Sequence, residues 1–157
     1  MYRLYTKCDK KTINLVVKSN KIRYNFFEVV NVDVREVNVK TLAYIGDVVY
    51  ELYIREHVIS NSREQVNKLH KKTIKYVSAK AQAKIVEVLT EEFSDEEKDI
   101  IRRGRNAEAN TVPKNTDVIT YKIATGFEAL IGYLYLQKNE ARLKDIISKS
   151  IEIIEGE

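Results

Sequence analysis

Residues that interrupt helices are scarce in this chain, which has one proline and five glycines among 157 residues. Both residue types weaken helix interiors, so their scarcity favours long helices. Apolar residues recur every three or four positions between residues 42 and 53 and again between residues 123 and 134. That spacing is typical of one buried helix face. The sequence therefore predicts an all-α bundle of five to seven helices.

Capping residues indicate where these helices begin. Asn38 is a candidate N-cap for the first helix, and residues 62–65 and 94–97 both have the pattern of a capping box. The helix after the first box is expected to reach about Leu89, with a break near Lys72 and Thr73. Further helices are predicted over residues 94–106, 118–138 and 141–154, with a loop at residues 107–117.

The first 34 residues have a different composition from the rest. β-Branched and aromatic residues predominate in residues 12–17 and 22–27, on either side of a candidate turn at residues 19–21. A short β-hairpin and an irregular arm fit this pattern equally well. We therefore divide the chain into an N-terminal arm of unknown role, residues 1–34, and a helical domain, residues 35–157.

Composition excludes several classes of protein. The net charge of +4 is only a weak indication of a nucleic-acid partner. The single cysteine, Cys8, rules out an intramolecular disulfide and a four-cysteine zinc site, and no Gly-rich phosphate loop is present. The longest apolar run, residues 129–136, is too short to span a bilayer, and the N-terminus lacks a signal-peptide core. We expect a cytoplasmic protein with no membrane partner.

Two acidic residues interrupt the apolar helix patterns. Asp47 follows Gly46 in one helix, and Glu128 lies between Gly126 and Gly132 in another. Asp and Gly both destabilise helix interiors, and such local penalties tend to occur at functional sites. A single buried acid is more often neutralised by a basic or phenolic side chain. Two of them, each in an apolar helix beside glycines that leave room for a ligand, make a functional site a competitive alternative.

Two converging carboxylates suit a hard cation. Magnesium in proteins uses one or two carboxylates, keeps several waters and takes phosphate oxygens as further ligands. Such an ion can orient a water molecule and stabilise charge on a phosphate. Asp47 and Glu128 are therefore the candidate metal ligands and catalytic residues, with Mg²⁺ as the cofactor and Mn²⁺ as a substitute.

Basic residues form two clusters. One lies at helical spacing over residues 68–75, continued by Lys80 and Lys84, and such a face is usually only solvated. The other leads from a helix end into a loop, where arginine and asparagine side chains are suited to phosphates and groove edges. An A-form duplex is recognised mainly through phosphates and 2′-hydroxyls. The candidate RNA-binding residues are His70, Lys71, Lys72, Lys75, Arg102, Arg103, Arg105, Asn106, Lys114 and Asn115.

Several motifs, in order along the chain, resemble the ribonuclease III family. Residues 42–51, Leu-Ala-Tyr-Ile-Gly-Asp-Val-Val-Tyr-Glu, resemble its signature helix in the form found in Mini-ribonuclease III, the bacterial branch without a double-stranded-RNA-binding domain. Further matches are His-Lys-Lys at 70–72, Val-Ser-Ala-Lys at 77–80, Arg-Gly-Arg-Asn-Ala at 103–107, Pro-Lys-Asn-Thr-Asp at 113–117 and Phe-Glu-Ala-Leu-Ile-Gly-Tyr-Leu at 127–134. Together they cover about residues 38–150.

The resemblance implies a ribonuclease III endonuclease-domain bundle and a homodimer that cleaves both strands of double-stranded RNA with Mg²⁺. It also implies a role in maturing precursor large-subunit ribosomal RNA, with a ribosomal protein as a conceivable helper. Ordinary family members have two further carboxylates where this chain has Ala43 and Thr125. That difference favours one ion per site, completed by water and RNA phosphates. Glu51 is expected to form a salt bridge more readily than to assist the metal.

Two other functions remain open. The chain could be a catalytically silent homodimer that binds double-stranded RNA, or a structural scaffold in which Asp47 and Glu128 are neutralised core acids. The retention of both carboxylates beside a basic loop argues against each of these.

Overall fold

The structure is a computed structural model that describes residues 7–9, 12–14, 33–108 and 117–156. The chain divides into two compact units, Met1–Asp33 and Val34–Glu157. In the first unit, strand β1 (Lys7–Asp9) pairs antiparallel with β2 (Thr12–Asn14), with Cys8 opposite Ile13. A hairpin is therefore present between residues 7 and 14, whereas the turn predicted at residues 19–21 lies outside the described residues. Residues 19–27, which include the second strand we predicted, lie outside the described residues.

Within its described residues, the second unit consists of six α-helices and one short 3₁₀ turn, and the predicted all-α bundle is confirmed. The helices are α1 (Val39–Ser60), α2 (Val66–Val77), α3 (Ala79–Leu89), α4 (Asp95–Asn106), α5 (Val118–Leu136) and α6 (Glu140–Glu155). The 3₁₀ turn, Thr90–Glu92, connects α3 to α4. No helix among the described residues is long and apolar enough to cross a membrane.

Helix α5 lies at the centre of the bundle, where α1, α3 and α4 pack around it. Phe127, Leu130 and Ile131 of α5 are fully buried. The Tyr50 ring of α1 meets the Phe127 ring edge to face, with 5.0 Å between their centroids. A helix that is apolar on nearly all sides is expected at the centre of a core, and this explains why the sequence pattern of α5 is so uniformly hydrophobic.

Two of the three predicted N-caps are confirmed. The Asn38 side chain accepts a hydrogen bond from the Lys40 backbone N–H at 2.9 Å. Ser94 and Glu97 form a complete capping box at the start of α4, with distances of 3.2 Å and 2.8 Å.

The capping box predicted at residues 62–65 is wrong. Helix α2 begins at Val66 without a side-chain cap, and the Ser62 hydroxyl donates to Glu64 at 3.2 Å instead. Glu64 in turn forms an ion pair with Lys72 at 2.7 Å. Residues 62–65 are not helical, so Ser62 lies too far ahead of the helix to cap it.

The break expected near Lys72 and Thr73 occurs at Ser78 instead. The Ser78 hydroxyl accepts from the Ala81 backbone N–H at 3.3 Å and so starts α3. Thr73 remains inside α2, where its hydroxyl donates to the Leu69 carbonyl oxygen at 3.1 Å. A threonine that bonds back to the preceding turn is tolerated within a helix, whereas a serine cap marks a new beginning.

Candidate active site

Helices α1 and α5 cross in direct backbone contact, and two glycines make the contact possible. A Cβ atom on Gly46 would lie 1.8 Å from the carbonyl oxygen of Glu128. A Cβ atom on Gly132 would lie 2.0 Å from the carbonyl oxygen of Leu42. Both distances are far inside van der Waals contact, so no larger residue fits at either position. The crossing brings Asp47, which follows Gly46, to the side of α5 that carries Glu128.

Asp47 and Glu128 line one cavity of about 290 Å³ between α1, α4 and α5. Glu128 is half-buried, whereas Asp47 lies at the exposed side. The remaining residues that line the cavity are Lys40, Ala43, Tyr44, Gly104, Ala107, Glu108, Tyr121, Lys122 and Thr125. The structure therefore brings together the two carboxylates that the sequence singled out.

Both carboxyl groups bind protons more tightly than usual. Burial, together with the negative charge of Asp47, raises the pKa of Glu128 to about 8, and the neighbouring Gln82 amide opposes this rise. Burial and the charge of Glu51 raise the pKa of Asp47. Two carboxylates held close together repel each other when both are ionised. A cation placed between them would remove that repulsion.

Neither Asp47 nor Glu128 is a core acid neutralised by a basic partner. Within residues 33–108 and 117–156, neither Asp47 nor Glu128 forms an ion pair with a lysine, arginine or histidine. Arg142 and Glu97 show what such a pair looks like in this protein, with Arg142 Nε 2.8 Å from the carboxylate. The paired, unneutralised carboxylates have instead the character of a cation site.

The ligands available in the cavity fit a cation that keeps most of its water. Among the described residues, no group of three His, Cys, Asp or Glu side chains lies close enough to hold a metal ion. Two carboxylates are nevertheless enough for magnesium, which typically takes its other ligands from water and phosphate. Ala43 and Thr125 line the cavity and supply no carboxylate; the Thr125 hydroxyl donates to the Tyr121 carbonyl oxygen at 3.1 Å.

Sequence reasoning missed several residues that line this cavity. Lys40 precedes Asp47 by seven positions, and Tyr121 precedes Glu128 by seven. Seven residues are two helical turns, so this spacing could have identified both. Lys122 and Glu108 had no comparable signal, because their position depends on how α4 and α5 meet.

The predicted basic residues of α2 lie away from the carboxylates. None of His70, Lys71, Lys72 and Lys75 lines the cavity, although all four are exposed. His70 instead lies in a groove with Arg55 and Ile59.

The predicted basic residues of α4 lie closer. Gly104 and Ala107 line the carboxylate cavity, whereas Arg102, Arg103, Arg105 and Asn106 of the same helix do not. Arg102 pairs with Asp99 at 2.6 Å, and Arg103 is half-buried. Lys114 and Asn115 lie outside the described residues.

Glu51 makes a salt bridge rather than a second contact to the site. Its carboxylate accepts from Arg55 Nε at 2.9 Å, one helical turn further along α1. The expectation that Glu51 would form a surface salt bridge is confirmed.

The fold is an all-α bundle in which two crossing helices each place one carboxylate in the same cavity. Residues 40–139 match the ribonuclease III domain, and the chain belongs to the ribonuclease III family. The family resemblance inferred from the motifs is confirmed.

Similar proteins share most of the chain. A Mini-ribonuclease 3 from Thermoanaerobacter sp. (strain X514) is 54% identical over 114 residues, which are 73% of this chain and 80% of the relative. A Mini-ribonuclease 3 from Streptococcus pneumoniae is 45% identical over 127 residues, 80% of this chain and 99% of the relative. A crystal structure of a protein from Fusobacterium nucleatum has a TM-score of 0.70 and 34% identity, covering 76% of this chain and 96% of that one.

Proposed function

We propose that the protein is a Mg²⁺-dependent endoribonuclease that hydrolyses both strands of double-stranded RNA, with Mn²⁺ able to replace Mg²⁺. The observation that carries this proposal is the cavity in which Asp47 and Glu128 meet without a basic partner among the described residues. Bound between them, Mg²⁺ would supply positive charge at the scissile phosphate and activate a water molecule.

The other groups around the cavity support a phosphate substrate. Lys40 and Lys122 line the same cavity as the carboxylates. Their ammonium groups bring positive charge to a cavity whose other charged residues are carboxylates, and so favour a phosphodiester there. Arg102, Arg103, Arg105 and Asn106 lie in the C-terminal part of α4, the helix whose Gly104 lines the cavity, and they would contact neighbouring phosphates of a duplex.

The protein is proposed to act as a homodimer that pairs through α1. Tyr44, Val48, Leu52 and Ile59 lie on one face of this helix, and each exposes more than half of its surface. Exposed apolar residues grouped in this way, here interrupted by the Glu51–Arg55 ion pair, are unusual on the surface of a monomer. A second copy of the chain would cover this face through a two-fold interface, because such an interface pairs a surface with itself.

This surface also explains why a dimer would cut both strands. Tyr44 lines the carboxylate cavity and belongs to the apolar face at the same time. Pairing through α1 would therefore place the two cavities next to the interface, where each can face one strand of a duplex. Precursor large-subunit ribosomal RNA is the proposed natural substrate, with a ribosomal protein as a helper, on the basis of the family resemblance. The proposed location is the cytoplasm.

A cleavage assay with matched variants tests the proposed activity. A long RNA duplex is incubated with the wild type, Asp47→Asn and Glu56→Gln, each in Mg²⁺ and in chelator. Glu56 is an exposed carboxylate on the same helix, so its variant controls for the loss of one negative charge. We expect Mg²⁺-dependent cutting by the wild type and Glu56→Gln, and cutting by Asp47→Asn no faster than in chelator.

The same experiment distinguishes the alternatives. A gel shift of the duplex without cutting would favour a silent RNA-binding protein. The absence of both binding and cutting would favour a structural scaffold. Cutting that persists in chelator would contradict the proposed metal dependence.

The dimer is tested separately by analytical ultracentrifugation. Leu52→Glu places a charge on the apolar face of α1, whereas Val88→Glu places one on α3 at a residue of nearly equal exposure, 53% against 54%. We expect the wild type and Val88→Glu to sediment as dimers and Leu52→Glu as a monomer. A dimeric Leu52→Glu variant would show that another surface forms the interface.

A further inference from the structure

A buried amide from a third helix lies next to the Glu128 carboxylate, although it does not itself line the carboxylate cavity. Gln82 of α3 exposes only 1% of its surface, and neither Oε1 nor Nε2 has a hydrogen-bond partner among the described residues. Among the described residues, the Tyr50 hydroxyl is another buried polar group without a partner, whereas other buried polar side chains are satisfied. For example, Thr73 donates to the Leu69 carbonyl oxygen at 3.1 Å and Ser150 to the Ile146 carbonyl oxygen at 2.7 Å.

The neighbour of this amide is Glu128. Gln82 is close enough to act on the Glu128 carboxylate and to favour its ionised form, although the arrangement falls short of a hydrogen bond of normal geometry. The amide therefore has two unused hydrogen-bonding atoms beside a group that we have assigned to a cation. An unsatisfied buried amide costs free energy, so its position requires an explanation.

Core packing does not supply that explanation. Helix α3 packs against α5, and Ile85, one turn after Gln82, is fully buried. A leucine or methionine would fill the position of Gln82 without leaving a polar group unpaired. The amide becomes useful only when Glu128 is ionised and a hydrated cation lies beside it.

The residues that line the cavity indicate what the Gln82 amide could bind. With Ala43 and Thr125 in the cavity, only two carboxylates are assigned to the ion, so most of its ligands must be water molecules. Those waters need hydrogen-bond acceptors, and an ionised Glu128 needs a donor that fixes its orientation. A primary amide offers one donor group and one acceptor on the same carbon atom.

We propose that Gln82 is a positioning residue of the metal site: its Nε2 donates to the Glu128 carboxylate, and its Oε1 accepts from the water shell of the bound cation. This inference rests on the proposed function, because it assumes a cation between Asp47 and Glu128. It assigns no contact between Gln82 and the RNA.

Gln82→Met separates positioning from packing, because methionine has nearly the same shape and no amide. We expect the variant in chelator to be at least as stable as the wild type, since a buried unpaired group has been removed. Its affinity for the cation should fall by about tenfold or more, the size of effect that orienting partners of metal ligands typically have. In the cleavage assay, the Mg²⁺ concentration for half-maximal rate should rise, and the rate at saturating Mg²⁺ should recover at least in part.

The measurement is calorimetric titration of the full-length protein with MnCl₂ in the absence of RNA, with thermal unfolding in chelator alongside. Thr73→Val is the matched control, because it also removes a buried hydrogen-bonding group but lies on α2, outside the carboxylate cavity. It should bind Mn²⁺ as tightly as the wild type. Equal Mn²⁺ affinity for the wild type and Gln82→Met would overturn the inference.

Gln82→Glu provides a second test if the methionine variant does not fold. A third carboxylate beside Glu128 should lower the unfolding temperature in chelator, and saturating Mn²⁺ should restore it, because the added group faces the cation. A loss of stability that Mn²⁺ leaves unchanged would show that position 82 does not face the site. A wild type that binds no Mn²⁺ would overturn the proposed function itself, which is a different result from failure at Gln82 alone.

Discussion

Glu128 determines the electrostatics of the site more than Asp47 does. It is the more buried of the two, and burial with the charge of Asp47 raises its pKa to about 8. At neutral pH and without a bound cation, most Glu128 side chains are therefore protonated. Binding a cation must release that proton, so metal affinity should increase with pH up to about 8.

This raised pKa also affects folding stability. The Glu128 carboxyl ionises at its ordinary pKa of 4.5 in the unfolded chain and at about 8 in the folded protein. Between these values the unfolded state binds fewer protons, so in chelator the free energy of unfolding should decrease as the pH rises from about 4.5 to about 8. Below this window both states are protonated and the full stability is present.

Glu128→Gln removes this contribution, because glutamine does not titrate. We expect the variant to gain stability relative to the wild type between pH 5 and pH 8, measured by urea unfolding in chelator. The difference between the two proteins is the relevant quantity, since all other titrating groups are shared. A difference that is the same at pH 5 and pH 8 would show that Glu128 ionises normally in the folded protein.

At the scale of helices, much of the fold could be predicted from local sequence. Periodic apolar residues identified α1 and α5, while Asn38 and Ser94 identified two of the helix starts. These signals act within one helix and need no knowledge of distant residues. The pairing of Asp47 with Glu128 was also predictable, because each is a charged residue beside glycine in an apolar helix.

Features that depend on packing between distant segments could not be predicted. The end of α2 is at Ser78 rather than near Lys72, because the fold allows Thr73 to bond within the helix. Gln82 lies next to Glu128 only because α3 packs against α5. In the sequence it is an ordinary polar residue among alanines, with no local cost that would mark it.

The crossing of α1 and α5 leads to a prediction at this scale. Gly46→Ala would place a methyl group 1.8 Å from the Glu128 carbonyl oxygen, a backbone atom that cannot move alone. The helices must separate, so we expect stability to fall by about 3 kcal/mol, at the upper end of overpacking effects. Mn²⁺ binding should weaken as well, because the two carboxylates move apart with the helices.

Gly156→Ala is the matched control for this variant. A Cβ at that position would meet the Glu152 carbonyl oxygen at 3.3 Å, at the end of α6. Urea unfolding and Mn²⁺ titration should show little change. Equal effects of the two substitutions would mean that the close crossing is not what positions the site.

The attachment of α6 to α4 should affect stability without affecting chemistry. Arg142 of α6 makes a two-pronged pair with the buried carboxylate of Glu97, at 2.8 Å and 3.0 Å, and also donates to the Glu92 carbonyl oxygen at 2.9 Å. Burial alone would raise the pKa of Glu97, but the pair with Arg142 and the Ser94 bonds lower it.

Arg142→Met would leave Glu97 buried without its partner. We expect a loss of about 3 kcal/mol in the free energy of unfolding, as is typical when one member of a buried pair is removed. Cleavage per folded molecule and Mn²⁺ affinity should stay at wild-type values, because Arg142 does not line the carboxylate cavity. A variant with wild-type stability but reduced Mn²⁺ affinity would show that α6 influences the site.

For the whole molecule, charge placement matters more than net charge. The excess of +4 is small for a protein that must hold a polyanion. Arg105 follows Gly104, which lines the carboxylate cavity, and itself lines a second, larger cavity of about 620 Å³ with Lys80 and Lys84. These three residues form a basic group on the two helices α3 and α4 that could contact the phosphates of a bound duplex. Lys80 and Lys84, which the sequence indicated as a continuation of the basic face at residues 68–75, therefore lie around the same cavity as Arg105 of α4.

Duplex binding should accordingly depend steeply on salt, and Arg105 should account for part of that dependence. Each phosphate contact contributes about 0.9 to the slope of log affinity against log salt concentration. We expect Arg105→Gln to reduce that slope by about one contact, measured by filter binding with the inactive Asp47→Asn protein as background. Lys144→Gln is the matched control, because it removes an exposed positive charge from α6, where it pairs with Glu140. If both substitutions reduce the slope equally, then RNA responds to the overall charge of the protein, and the surface beside α4 has no special part in binding.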